Sequence, residues 1–148
     1  MSITLVRATL DHLDLLVPLY DGYRAFYKAA SDNDAARQFL QERIANAESV
    51  IFLALEGDNG LGFTQLYPLF SSVSMRRLWL LNDLFVAPSG RGKGVGGALL
   101  EQARAFALEQ GAKGLFLQTA ADNVTAQRLY AAHGWKRDEQ FYVYELDF

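Results

Sequence analysis

Residues 90–97 read Gly-Arg-Gly-Lys-Gly-Val-Gly-Gly, five glycines in eight positions with two cations between them, directly ahead of a helix-like run. Glycine in the first turns of a helix costs about 1 kcal/mol relative to alanine, so something must come close to this backbone to compensate. Unpaired N–H groups of a first helical turn point outward, and the helix dipole adds partial positive charge. Such a loop suits a phosphate or pyrophosphate held by backbone amides. Arg91 and Lys93 either add charge to it or stand as solvated loop cations. Two familiar phosphate loops fit badly. A P-loop needs serine or threonine after glycine and lysine, and here Gly94 follows Gly92-Lys93. The spacing Gly92, Gly94, Gly97 matches the dinucleotide fingerprint, but the acid expected about 20 positions on is missing from Leu115-Phe116-Leu117-Gln118-Thr119.

A second chemistry-bearing residue is Asp83, set in the apolar run Leu80-Leu81-Asn82-Asp83-Leu84-Phe85-Val86. An acid there calls for a partner or a task. The partner reading is a salt bridge to Arg76 or Arg77, and the task is proton transfer. The chain has no cysteine, which excludes disulfides, thiolate metal sites and cysteine nucleophiles. His12 and His133 lack metal-ligand spacing, so no metal is expected. A net charge of −3 disfavours a nucleic-acid partner and suits a cationic acceptor. The start of the chain carries Arg7, Asp11 and Asp14 and does not read as a signal peptide. No apolar run reaches membrane-spanning length, so the expectation is a cytoplasmic protein without a membrane partner.

The elements that must position these residues follow from periodicity. A composition half apolar and 13% aromatic over 148 residues predicts one globular domain, residues 1–148. Ile3–Arg7 is β-prone. Thr9 caps a helix carrying Leu10, Leu13, Leu16, Val17, Tyr20, Tyr23 and Tyr27, which Pro18 should kink or break. Residues 31–34 form a loop and cap before a second helix with Ala36, Phe39, Leu40 and Ile44 on one side. Val50–Leu55 is a strand, Asn59-Gly60 a reverse turn and Leu61–Tyr67 the returning strand. After Pro68 and a serine-rich loop, Arg77–Val86 is a third long strand. The helix opened by the glycines ends at Gly111 in a left-handed cap. Leu115–Thr119 is a buried strand, Asn123 caps a helix reaching His133, Gly134 ends it, and Phe141–Leu146 is a final strand. The order is β-α-α-β-β-β-α-β-α-β, a single mixed sheet with helices packed on it.

Arg91-Gly92-Lys93-Gly94-Val95-Gly96 resembles the R/Q-x-x-G-x-G/A signature of the GNAT acetyltransferases, preceded as in that family by an apolar strand ending Val86-Ala87-Pro88. The later segment from Asn123 through Ala126, Leu129, Tyr130 and Gly134 to Trp135 resembles the family's N-x-x-A-x-x-L-Y-x-x-x-G-F/W motif. Within the superfamily, residues 63–72 and 81–86 look most like the diamine, small-amine and related histone-acetylating branch. The resemblance implies an α/β fold, a central mixed and mostly antiparallel sheet of six or seven strands with four helices.

The same resemblance implies acetyl-CoA as cosubstrate, with its pyrophosphate on the amides of Arg91, Gly92, Lys93, Gly94, Val95 and Gly96. Acetyl transfer to an amine needs a bound carrier, a free amine, stabilisation of the oxyanion and a proton for the thiolate. Family members bond pantetheine and polarise the thioester through the backbone of a bulged strand, here Leu84, Phe85 and Val86, whose side chains are core on packing grounds. Tyr130 matches the family's general acid, and otherwise reads as core. Asn123 is a helix cap on local grounds and a coenzyme contact by resemblance. Related small-amine enzymes place an acidic pair where this chain has Asn82-Asp83, so Asp83 is the remaining base candidate, a water chain being the other route. Tyr20, Tyr23, Phe26, Tyr27, Gln65 and Tyr67 either line an acceptor pocket, holding a cation by cation–π contact, or belong to the core. The implied activity is direct acetylation of a primary amine on a small molecule or lysine-like side chain. The alternatives are a non-catalytic acyl-CoA sensor or interaction module, and a nucleotide-phosphate binder. An apolar last strand and the family's habit of pairing late strands predict a homodimer.

Overall fold

Apolar stretches long enough to be covered on both faces build the centre of the sheet. The computed structural model describes residues 2–148, which divide into one unit up to Gln118 and a second from Thr119. In the first unit β2 (Val50–Glu56) is buried from Val50 to Ala54 without alternation, the pattern of a strand with helices on both sides. It pairs antiparallel with β1 (Thr4–Arg7) and with β3 (Asn59–Ser71). β3 pairs antiparallel with β4 (Arg76–Val86), and β4 pairs in parallel with β5 (Gly114–Phe116). The sheet order is therefore the chain order, β1-β2-β3-β4-β5.

Helices α1 (Leu13–Phe26) and α2 (Asn33–Ala45) cover one face. Leu13, Leu16, Val17, Ala36 and Leu40 pack there with Ile51, Leu53 and Phe63. Full burial of a large side chain such as Leu16, Leu53 or Phe63 contributes about 1.5–3 kcal/mol relative to exposure. On the other face α3 (Val95–Glu109) buries Leu99, Leu100, Ala103 and Phe106. The Phe106 ring lies 5.6 Å from that of Phe52 and 5.0 Å from that of Trp79. The class expected from the sequence, a mixed and mostly antiparallel sheet with four helices, is the one observed.

Several details differ. Thr9 caps a short 3-10 turn, Leu10–His12, and its backbone N–H donates to His12 Nδ1. The α-helix proper then runs unbroken through Pro18. Proline there forfeits a single hydrogen bond near the helix start, and packing of the apolar stripe outweighs it. The β2–β3 turn falls at Gly57-Asp58, with Gly57 at φ 61°, because Glu56 already pairs with Asn59. The Asn59-Gly60 signal belongs to β3 instead. That strand continues past Pro68 to Ser71; pairing with β2 stops at Leu66, so Pro68 lies on an edge where no ladder donor is needed. β5 ends at Phe116 rather than Thr119.

The second unit holds α4 (Val124–Ala132), capped by Asn123, whose Oδ1 accepts from the Ala126 N–H. Gly134 follows at φ 88°. No strand forms at Phe141–Leu146; Phe141, Tyr142, Val143, Tyr144 and Leu146 are exposed. A lone apolar segment has no ladder without a neighbour, and among the described residues none pairs with it. Among the described residues the strand count is thus five, not six or seven.

Candidate functional site

The glycine loop connects β4 to α3. A short 3-10 turn, Pro88–Gly90, is pinned by the Ala87 N–H donating to the Leu61 carbonyl at 2.8 Å. Gly92 and Gly94 then take φ 75° and 76°, a left-handed conformation that L side chains rarely adopt. A Cβ built at either would meet nothing within 4 Å. Backbone conformation, rather than crowding inside the chain, is why glycine is needed there. Gly94 is the N-cap of α3 and brings no side-chain acceptor. The Ala98 N–H bonds to the Gly94 carbonyl, which leaves the amides of Val95, Gly96 and Gly97 without intrahelical partners. Uncapped donors at the positive end of a helix are the kind of group that binds phosphate. Arg91 is exposed, and Lys93 Nζ pairs with Glu56 at 3.2 Å.

Upstream of this loop β4 carries a β-bulge. Gln65 lies opposite Asp83 and Leu66 opposite Leu81, so Asn82 has no partner on β3. Pairing with β5 covers only Leu78–Leu80. From Leu81 to Val86, β4 therefore has no strand neighbour on that side among the described residues. Leu84, Phe85 and Val86 are half-buried there, and their side chains pack: the Phe85 ring stands 6.4 Å from that of Tyr23. Bulges re-aim residues and end pairing, leaving backbone groups for a ligand.

Asp83 points inward from the bulge, 3% exposed. The salt bridge with Arg76 or Arg77 is not formed. Arg76 donates to the Ala112 carbonyl at 3.0 Å, and the Arg77 guanidinium lies 4.4 Å over the Phe70 ring. The partners of Asp83 are neutral. Gln65 Nε2 donates to Oδ2 and Asn82 Nδ2 to Oδ1, the latter at 2.9 Å. Burial pushes the Asp83 carboxyl above its ordinary range, and hydrogen bonds from Gln65, Asn82 and Tyr23 pull it partly back. The Tyr23 hydroxyl also donates to the Asn82 carbonyl at 3.1 Å. Burial and the nearby Asp83 charge raise the phenols of Tyr23, Tyr67 and Tyr20, so all three stay protonated at neutral pH.

Aromatic side chains crowd beside this acid. Tyr20 and Tyr23 both pack on Phe63, at 6.2 and 5.9 Å, and Tyr27 lies 5.2 Å from Tyr23. Phe26 and Tyr27 are exposed. Gln65, which the sequence leaves as either pocket lining or core, is fully buried and committed to Asp83 and to Ser49, whose hydroxyl donates to Gln65 Oε1 at 2.7 Å. Sequence reasoning missed Ser49. A single serine between a helix end and a strand carries no pattern that could have found it.

In the second unit Tyr130 lies on α4, half-buried, its ring 6.2 Å from that of Trp135. Trp135 N–H donates to the Tyr130 carbonyl at 3.0 Å, which closes the helix end around Gly134. Among the described residues no cluster of His, Asp and Glu could hold a metal ion, and no helix is long and apolar enough to cross a membrane.

Comparison with known proteins bears on the same stretch. The model of the acetyltransferase (GNAT) family matches residues 16–135. An uncharacterized N-acetyltransferase, YhfO, of Bacillus subtilis (strain 168) is 50% identical over 132 residues, 89% of each chain. The crystal structure of a probable acetyltransferase superposes with a TM-score of 0.93 at 44% identity, covering 98% of this chain and 97% of the other. An aminoglycoside N-acetyltransferase in complex with CoA shares the fold, with a TM-score of 0.82 at 19% identity over 98% and 95% of the two chains.

Proposed function

This chain belongs to the acetyltransferase (GNAT) family and is an N-acetyltransferase with acetyl-CoA as cosubstrate, and from that premise we propose a small primary amine or lysine-like side chain as its acceptor. The observation that carries the proposal is Asp83, a buried acid with no cationic partner among the described residues, beside a cluster of tyrosines. Such an environment attracts a protonated amine through cation–π contact and charge. An alkyl ammonium titrates at about 10.4 in water, so it must lose a proton before it can attack. Asp83, its carboxyl raised by burial, accepts that proton.

Acetyl-CoA supplies the activated acetyl group. In this reading the amides of residues 91–96 hold its pyrophosphate, with Arg91 and Lys93 adding charge, and Asn123 makes a further coenzyme contact. The β4 backbone at Leu84, Phe85 and Val86 supports the thioester arm, its amides left over by the short β4–β5 pairing. Tyr130 gives a proton to the departing sulfur. Transfer is direct, since no cysteine is present to carry an acetyl group. The 148 residues act as a single cytoplasmic acetyltransferase domain and, through the apolar segment at 141–146, as a homodimer.

Calorimetric titration with acetyl-CoA, with NAD and ATP as controls, tests the cosubstrate site. Thiol release across diamines, lysine-like amines and an aminoglycoside then tests the acceptor. Selective binding with release on small amines supports the proposal. Tight binding without release on any amine would instead identify a non-catalytic acyl-CoA sensor. Sedimentation as a monomer at micromolar concentration would remove the dimer.

A further inference from the structure

Two of the polar groups nearest Asp83 belong to residues with no assigned part in acetyl transfer. Gln65 is fully buried and Ser49 is 8% exposed, yet their side chains form a chain of donors aimed one way. The Ser49 hydroxyl donates to Gln65 Oε1 at 2.7 Å, and Gln65 Nε2 donates to Asp83 Oδ2. The other carboxylate oxygen accepts from Asn82 Nδ2. We propose that Ser49 and Gln65 are positioning residues that hold the Asp83 carboxylate ready to accept a proton, replacing with aligned neutral dipoles the cation that a buried acid ordinarily requires. The inference rests on Asp83 being the proton acceptor in the reading above, and extends it to residues that never touch the amine.

Ionised Asp83 offers only acceptors, so Gln65 must turn its NH2 toward it and its carbonyl away, toward Ser49. Ser49 then satisfies that carbonyl, and each bond strengthens the next in a low-dielectric interior. Protonated Asp83 can donate to Gln65 Oε1 if the amide turns over. In that arrangement Gln65 donates to Ser49, whose own hydrogen loses the acceptor it now has. The serine hydroxyl therefore biases the pair toward the ionised acid.

The remaining groups that face Asp83 are the phenols of Tyr20 and Tyr23 from α1 and of Tyr67 from β3. Arg43 of α2 acts on the phenols of Tyr20 and Tyr67, and Arg24 of α1 on that of Tyr20, rather than pairing with the acid. The only oxygen on Gln65 that could reverse the chain is the one Ser49 occupies.

The test is carboxyl 13C NMR on aspartate-labelled protein, the Asp83 signal being assigned by its loss in Asp83→Asn. The kcat/KM profile against pH is recorded in parallel. In Ser49→Ala the Asp83 titration moves upward by about one pH unit, the scale of one neutral hydrogen bond. The acidic limb of kcat/KM moves with it, so the rate below that limb falls about tenfold, while KM for acetyl-CoA stays unchanged. Ser49→Thr, which keeps the hydroxyl, restores both. Gln65→Met removes the amide donor at similar length and moves the titration further up, which covers the case of a poorly folded Ser49→Ala. Titration of Asp83 at its wild-type position in whichever of these variants folds overturns the proposal. If the carboxyl titration moves and the kcat/KM limb does not, the positioning role stands and the assignment of Asp83 as proton acceptor fails.

Discussion

Gly62→Ala adds one methyl group at a place where the β3–β4 strand pair and the start of α3 meet. A Cβ at Gly62 would stand 2.6 Å from the Phe85 carbonyl oxygen, 3.3 Å from Val86 Cα and 3.2 Å from Val95 Cγ1. Carbon and carbonyl oxygen in contact normally keep about 3.3–3.6 Å, so the backbones must separate by roughly 0.7 Å or more. Neither backbone atom is the end of a flexible side chain, and overpacking of this kind costs about 1–3 kcal/mol. Lower entropy of the unfolded chain returns about 0.4–1 kcal/mol, for a net loss of roughly 1–2 kcal/mol read from the urea midpoint. The displaced segments are the end of β4 and the first residue of α3, so acetyl-CoA affinity measured by calorimetry should fall about tenfold, each tenfold being about 1.4 kcal/mol. Gly111→Ala is the control. Gly111 has φ 68° and open space around it, at the far end of α3, so alanine there costs about 1–2 kcal/mol of left-handed strain without touching the loop. Equal acetyl-CoA affinity in the two variants would refute the link between the β3–β4 approach and the coenzyme site.

Asp83→Asn tests the buried acid through stability. With its folded carboxyl raised, the native state holds a proton that the unfolded chain releases at about 3.9, so the wild type loses stability as pH rises from there through the folded value. The asparagine variant lacks this loss, and the stability difference, variant minus wild type, should grow more favourable from pH 4 to pH 7; a difference independent of pH would contradict the raised carboxyl. Tyr130→Phe should cut turnover by about 100-fold or more, the scale of general-acid catalysis, with acetyl-CoA affinity little changed; undiminished turnover removes Tyr130 from the chemistry. Asn123→Ala takes the side-chain acceptor from the Ala126 N–H and should cost about 1 kcal/mol, seen as faster hydrogen exchange in the first turn of α4.

What the sequence made legible was whatever depends on local pattern. Asp32 and Asn123 sit where caps were expected, each accepting from the N–H three residues on. Gly111 ends α3 with φ 68°, and the left-handed Gly92 and Gly94 stand at the start of the same helix. Errors arose where a local signal competed with pairing across the sheet. Asn59-Gly60 is a strong turn signal, but the register shifts by one residue between Ala54, opposite Gly62, and Leu55, opposite Gly60, which pairs Asn59 with Glu56 and moves the turn to Gly57-Asp58. Phe141–Leu146 has strand composition and no ladder partner among the described residues, and composition alone does not make a strand. Pro18 marks a break on intrinsic propensity, yet α1 keeps one buried stripe of Leu13, Leu16, Val17 and Leu19 across it.

The candidate site shows the same division more sharply. Asp83 stood out as an acid in an apolar run, but its environment depends on residues far away in the chain: Gln65 is 18 positions upstream and Ser49 a further 16. A bulge decides which of them meet. Had β3 and β4 kept a regular register past Leu66 and Leu81, Gln65 would face Asn82, and Asp83 would fall on the opposite face of the sheet. The extra residue at Asn82 restores Asp83 to the face where α1 supplies tyrosines and leaves the Asn82 carbonyl to accept from Tyr23. It also coincides with the point where β5 stops pairing. One inserted residue thus turns a carboxylate inward and frees the strand end beyond it, and neither effect can be read from residue types without the register. Deleting Asn82 leaves Asp83 opposite Gln65 but removes the bulge and the carbonyl that accepts from Tyr23, so turnover should fall while pyrophosphate affinity at the glycine loop remains close to wild type. Loss of both together would show that the bulge and the loop fold as one unit.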